Sequence, residues 1–296
     1  MYRNLKEKAL LSLFALTLTV IAYSYIVKIN YNELLKVKIQ YLIVAFVFAI
    51  SSLVLSAVRF HILTQISLKN SIITWFTSQL VSNITPTHSG GEIVRAYVIY
   101  SSSKNLSYSL AIVLAEIFSD VVVPNLVALF FSLYYLLAVK DPLFIGPLIA
   151  SLYSITAWSL VILKRGFFKR IVRKVLSKLR IEVKEKPVFE RKVITQMIII
   201  SLVFSILKLL LMGFSAYFAY AAVSVNITFL ECIKAYSLAM ALGIIPLPAG
   251  AVGVEAGFSL VKPGLGVVLW RIATYYLITL FTLPFALILI HKKISY

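Results

Sequence analysis

Residues 40–60, QYLIVAFVFAISSLVLSAVRF, decide the class of this protein. The run holds one charge, Arg59, at its far end. A bilayer core about 30 Å thick needs about 20 mostly apolar helical residues, which this stretch supplies. Five more runs of the same kind lie at 9–27, 107–137, 144–163, 193–223 and 266–290. The chain is 61% hydrophobic and 14% charged, against about 45–50% and about 25% in a soluble domain, so its polar surface is too small to cover a globule in water. The apolar period is helical and no short alternating strands occur, which excludes a transmembrane β-barrel. The run at 9–27 follows Arg3, Lys6 and Lys8 as a signal peptide would. It exceeds the usual 7–15 apolar residues and lacks a small-x-small cleavage site, so it is read as a retained first helix.

Two further apolar stretches, 71–100 and 228–262, are interrupted near their middles by Asn83-Ile-Thr-Pro-Thr-His-Ser-Gly-Gly-Glu92 and Gly243-Ile-Ile-Pro-Leu-Pro-Ala-Gly-Ala-Val-Gly-Val-Glu255. Each runs from Ile-x-Pro through glycine to a glutamate. Unpaired backbone groups cannot face lipid, so a Pro/Gly break at this depth lies within protein or lines a wet cavity. The expected fold is therefore an all-α integral membrane protein with about six full transmembrane helices and two re-entrant broken hairpins related as an inverted repeat. It forms a single membrane domain over 1–296, with halves 1–143 and 144–296. The alternative is that Pro and Gly only kink packed helices, with Gly253 and Gly257 as a G-x-x-x-G packing motif.

The net charge of +18, from 29 Lys+Arg against 11 Asp+Glu, ordinarily suggests nucleic acid, but here the basic residues alternate with membrane spans. With the N- and C-termini cytoplasmic, 20 of the 29 fall inside, 5 outside and 4 (Arg95, Lys208, Lys234, Arg271) are embedded, the bias of a multi-pass plasma-membrane protein. Most of the inside charge lies in 164–192, where Phe167, Phe168, Ile171, Val172, Val175, Leu176 and Leu179 recur at helical spacing among basic residues. This segment reads as a cytoplasmic amphipathic helix on anionic lipid, or as a topology signal alone. The single Cys232 excludes an internal disulfide and a Cys-based metal cluster.

Five acidic and four basic residues are embedded. Each costs about 2.5–3.5 kcal/mol at a helix centre, so retention implies pairing, water or function. Glu92 and Arg95 are spaced to pair. Glu116 and Asp120 stack on one helical face and need a nearby cation, for which Lys208 is the expected source. Glu231 and Lys234 read as a peripheral ion pair. Arg59 is either a snorkelling anchor or a head-group ligand.

At these residues the chain resembles the lysylphosphatidylglycerol synthase transmembrane family, the flippase-like domain of the multiple peptide resistance factor. The resemblance covers most of the chain. It rests on Arg59, on the block Asn83, Pro86, Gly90, Gly91, Glu92 and Arg95, and on the block Pro246, Pro248, Gly250, Gly253 and Glu255 followed by Arg271. The family's Glu-Arg-x-x-Asp pattern reads Glu116-Ile117-Phe118-Ser119-Asp120, so its arginine is missing, and Ala249 stands where glycine is usual. The soluble aminoacyl-transferase domain of longer relatives is not in this sequence, so the resemblance implies the lipid-translocating part and no enzyme.

The expected function is a lipid flippase or scramblase acting on an anionic or amino-acylated phospholipid or a polyprenyl-phosphate lipid. Arg95, Arg271, Lys208 and Arg59, with backbone N–H groups at Gly90, Gly91, Gly250 and Gly253, are the expected head-group ligands. Glu92, Glu116, Asp120 and Glu255 are expected to orient them or carry protons. Asn83, Pro86, His88, Pro246 and Pro248 form the motif scaffold. An enzyme using His88 and Glu92 is a weaker reading, because two ligands are too few for a metal site. A membrane anchor for a lipid synthase or glycosyltransferase is the remaining one. No cofactor, metal or nucleic acid is expected.

Overall fold

A computed structural model describes residues 2–85, 90–163, 191–244 and 250–291. In order these form α1 (Tyr2–Ile26), a 3-10 turn (Tyr31–Lys36), α2 (Ile39–Thr64), α3 (Leu68–Ile84), α4 (Gly90–Ser103) and α5 (Leu106–Tyr134), which runs on through a π turn (Tyr135–Val139). A 3-10 turn (Pro142–Phe144) leads to α6 (Ile145–Leu163), then α7 (Arg191–Ala221), α8 (Phe229–Leu242), α9 (Gly253–Ser259) and α10 (Leu265–Arg271). A second π turn (Ile272–Tyr276) joins α10 to α11 (Leu277–His291). The described residues contain no strand, and the protein is an all-helical membrane bundle.

Five segments are long and apolar enough to cross a bilayer: Ile39–Thr64, Leu106–Val139, Pro142–Leu163, Thr195–Ala221 and Leu265–Leu289. They answer to five of the six crossings expected from sequence. The sixth, 9–27, falls in α1, where Phe14–Ile26 is an apolar helix. The basic stretch 164–190 and the residues Pro86, His88, Pro246 and Pro248 lie outside the described residues.

Lipid tails are as apolar as leucine, so helices in a bilayer gain little by hiding large side chains and associate instead through small residues that allow close approach. On α2 the buried stripe is Ala45, Ala49, Ser52, Ser56 and Ala57, while Ile43, Val47 and Val54 face outward. The facing helix α7 buries Ser201, Ser205, Ser215, Ala216 and Ala219. Some buried helix hydroxyls bond to the preceding turn, as where Ser56 on α2 donates to the Ser52 carbonyl at 2.9 Å and Ser119 on α5 to that of Ala115 at 2.9 Å.

The two broken pairs open at opposite ends of α2. At its C-terminal end, Tyr108 donates its hydroxyl to the Leu63 carbonyl at 2.9 Å, so α3 starts and α4 returns beside the point where α2 stops. At its N-terminal end, Lys38 N–H reaches the Ala222 carbonyl at 2.9 Å and the Tyr220 hydroxyl reaches that of Lys262 at 2.5 Å, which places both ends of the α8–α9 pair there. With 17 and 14 residues, α3 and α4 rise about 26 and 21 Å, less than the hydrocarbon thickness. Each pair has its own apolar core, one around Phe60, Trp75, Phe76 and Ile112, the other around Tyr220, Phe258, Val267 and Trp270.

Candidate functional site

Five helices deliver charge or hydrogen-bonding groups to one cluster inside the first core. Arg59 comes from the last turns of α2, Trp75 and Ser78 from α3, Glu92 and Arg95 from α4, Glu116 and Asp120 from α5, and Ser205 and Lys208 from α7. Glu116 is fully buried and lies between two guanidinium groups, with Oε1 3.3 Å from Arg59 Nε and Oε2 3.3 Å from Arg95 Nε. These are ion contacts rather than aligned hydrogen bonds, since none of the four atoms has a hydrogen-bond partner. Asp120 is held more directly. Arg59 grips it bidentately at 2.7 and 3.0 Å, the Ser205 hydroxyl donates at 2.5 Å and Lys208 Nζ at 2.9 Å.

Arg95 sits over Trp75, its Cζ 4.2 Å from the ring centroid, with Arg59 and Lys208 at 5.6 and 5.8 Å from the same ring. It also donates to the Ser78 hydroxyl at 2.7 Å and stands 3.6 Å from Glu92. Three cations thus face three carboxylates, and the set is neutral. Exposure is graded across it. Arg59 is 1% and Glu116 0% exposed, whereas the side chains of Asp120, Lys208 and Glu92 are 20, 23 and 27% exposed.

The cluster corrects one reading and answers another. Arg59 is no snorkelling anchor, because its guanidinium points into the bundle, sealed by two carboxylates. Glu116 and Asp120, which lack a neighbouring arginine in sequence, take cations from α2, α4 and α7 instead. Lys208 is indeed the counter-ion of that acidic face.

The second block forms a smaller pair. Arg271, at the end of α10, donates Nε to Glu255 Oε1 at 2.7 Å, and both side chains are buried. Arg271 Nη2 lies 3.5 Å from the Gly250 carbonyl, so Gly250 contributes its oxygen there. Just before Glu255 the backbone makes a γ-turn at Val252 (φ 67°, ψ −54°), closed by Gly253 N–H to the Ala251 carbonyl at 2.8 Å. This positive-φ turn is strained for a β-branched residue.

Other backbone donors expected to meet a ligand are likewise engaged inside the protein. Gly90 N–H donates to Thr85 Oγ1 at 3.1 Å and Gly91 N–H to Ser82 Oγ at 3.1 Å. A Cβ on Gly91 would come within 2.5 Å of the Ser78 carbonyl oxygen, and one on Gly253 within 2.1 Å of the Leu242 carbonyl oxygen. Gly90, Gly91 and Gly253 are therefore packing positions, not the free head-group donors that the sequence suggested. Gly257 acts in the same way, since its Cβ would lie 2.3 Å from Ala239 N.

Asn83, at the end of α3, ties the first break to the last helix. Its amide donates to Thr279 Oγ1 at 2.8 Å and accepts from Gln79 at 2.9 Å, and its carbonyl accepts the Tyr275 hydroxyl at 2.9 Å. The expected Glu231–Lys234 ion pair is replaced by two separate jobs. Glu231 closes a capping box with Thr228 at the start of α8, and Lys234 turns inward to donate to the Tyr135 hydroxyl at 2.7 Å. Sequence reasoning missed Trp75, Ser78 and Ser205. Their signal was present, since Trp75 and Ser78, like Ser205 and Lys208, are i,i+3 neighbours on one helical face.

The family model described as lysylphosphatidylglycerol synthase TM region matches residues 8–282. No curated protein matches the chain.

Proposed function

The chain belongs to the lysylphosphatidylglycerol synthase transmembrane family, and from its buried charges we propose that it carries lipid head groups between leaflets as a flippase or scramblase. The observation that supports this reading most is the graded exposure of the neutral cluster. A purely structural ion network would be sealed throughout, as Arg59 and Glu116 are. Asp120, Lys208 and Glu92 stay partly open, and charged groups at this depth require water rather than lipid around them. A wet, charge-lined cleft within a bundle whose outer face is apolar suits a molecule with a polar head and apolar tails.

On this reading the α3–α4 and α8–α9 pairs are re-entrant elements opening on opposite leaflets, and Asn83, through Tyr275 and Thr279, fixes the first pair to the α10–α11 segment. The substrate is an anionic or amino-acylated phospholipid or a polyprenyl-phosphate lipid. The protein resides in the plasma membrane with both termini cytoplasmic, the side favoured by the basic residues.

The test is reconstitution into vesicles carrying fluorescent lipid in both leaflets, with dithionite quenching of the outer one. Lipid transport predicts quenching beyond the outer-leaflet fraction in protein vesicles. Kinetics identical to empty vesicles for all three lipid classes would reject it.

A further inference from the structure

The most completely coordinated group in the cluster is the carboxylate of Asp120. Two guanidinium N–H groups of Arg59, the Ser205 hydroxyl and the Lys208 ammonium converge on its two oxygens at 2.5–3.0 Å. A carboxylate and a phosphodiester present the same thing to such donors, namely two equivalent oxygens sharing one negative charge. We propose that Arg59, Ser205 and Lys208 form a subsite for the phosphodiester of a lipid head group, and that Asp120 occupies it as a built-in competitor when no lipid is bound. This deepens the lipid-transport reading and rests on it.

Three features separate Asp120 from a fixed structural counter-ion. First, it lies at the open side of the network, with Lys208, while Glu116 at the sealed side remains to neutralise Arg59 when Asp120 leaves. Second, Asp120 stands four residues before Pro124, inside α5. Proline has no N–H, so the Asp120 carbonyl lacks its helical partner and this turn is the one at which α5 can bend. Third, donors are in excess nearby. The buried Ser201 hydroxyl, one turn along α7 from Ser205, and the Trp75 indole N–H have no hydrogen-bond partner, and a phosphodiester brings ester oxygens that a carboxylate lacks.

A monoanion replacing Asp120 leaves the charge at the donors unchanged. The released carboxylate meets the wet side of the cleft, where its hydration is restored. Each passage of a head group is then an exchange of one anion for another over the same four donors. That exchange keeps the site from binding its cargo too tightly to release.

The experiment measures binding of dihexanoyl phosphatidylglycerol, inorganic phosphate and glycerol phosphate to the purified full-length protein in detergent at constant ionic strength. Asp120→Asn keeps the shape and removes the competitor, so the Kd for the short-chain phospholipid should tighten about tenfold or more, with Glu33→Gln on the surface as the baseline. Adding Ser205→Ala to Asp120→Asn should reverse several-fold of that gain. Equal affinity of wild type and Asp120→Asn, both folded by thermal melt, overturns the proposal. An equal gain for inorganic phosphate overturns the assignment to a lipid head group. Should Asp120→Asn fail to fold, Asp120→Ser takes its place: it removes the same competitor and is expected to tighten phospholipid binding, and unchanged binding overturns the subsite. Transport in vesicles is scored separately, so wild-type transport with no effect of these variants on binding rejects the subsite and leaves the function standing.

Discussion

Glu116→Gln isolates the energy of the sealed half of the cluster. Each Glu116 oxygen lies 3.3 Å from an arginine Nε, and two unit charges at that distance attract by about 5 kcal/mol at an effective dielectric near 20. Two such contacts give about 10 kcal/mol gross, from which the desolvation of a fully buried carboxylate removes several kcal/mol. Glutamine keeps the volume and removes the charge. Arg59 then retains Asp120, but Arg95 keeps only the more distant Glu92 at 3.6 Å, Ser78 and the Trp75 ring. The expected loss is about 3–4 kcal/mol, the range for breaking a buried pair from one side. Thermal unfolding in detergent should show it as a fall in Tm of about 5–6 °C. Glu92→Gln, made on a partly exposed side chain, should cost below about 1 kcal/mol. Adding Arg95→Gln to Glu116→Gln should recover part of the loss, because the stranded cation is gone. A Glu116→Gln protein as stable as wild type would refute the reasoning, since the desolvation of Glu116 would then outweigh both contacts.

Three further outcomes follow from local geometry. Gly257→Ala should cost about 2 kcal/mol or more, since its Cβ meets backbone of α8 at 2.3 Å, whereas Gly146→Ala has nothing within 4 Å and should be neutral or stabilise by up to about 1 kcal/mol; paired melts compare them. Thr228→Ala opens the capping box of α8 and should destabilise by about 1 kcal/mol in the same assay. Val252→Gly relieves the positive-φ turn before Glu255 and should raise stability by about 1 kcal/mol, with a lower Tm counting against strain there.

Much of the fold was legible because a membrane span is a local property. The run at 40–60 needs no tertiary partner to be recognised, and the same holds for the runs that became α5, α6, α7 and the α10–α11 segment. The glycine blocks were legible as breaks but not as to purpose. A glycine that aims an N–H at a ligand and one that lets two backbones touch look alike in sequence, and Gly91 and Gly257 proved to be of the second kind. The site was half legible. Embedded charge flagged Arg95, Glu116, Asp120 and Lys208, because charge in a bilayer needs a reason. Uncharged Trp75, Ser78 and Ser205 carried no such flag.

From the sequence alone came a helical membrane protein, its two interrupted segments and the list of costly residues inside it. Partnership was decided by tertiary structure. Arg59 and Asp120 are 61 positions apart, and Lys208 is 88 beyond Asp120, yet they share one carboxylate. Helical periodicity dictates which residues share a face of one helix, while the meeting of faces depends on how small-residue stripes such as those of α2 and α7 dock. That docking joined α2 to α7 and turned separate charges on different helices into one neutral, partly open network.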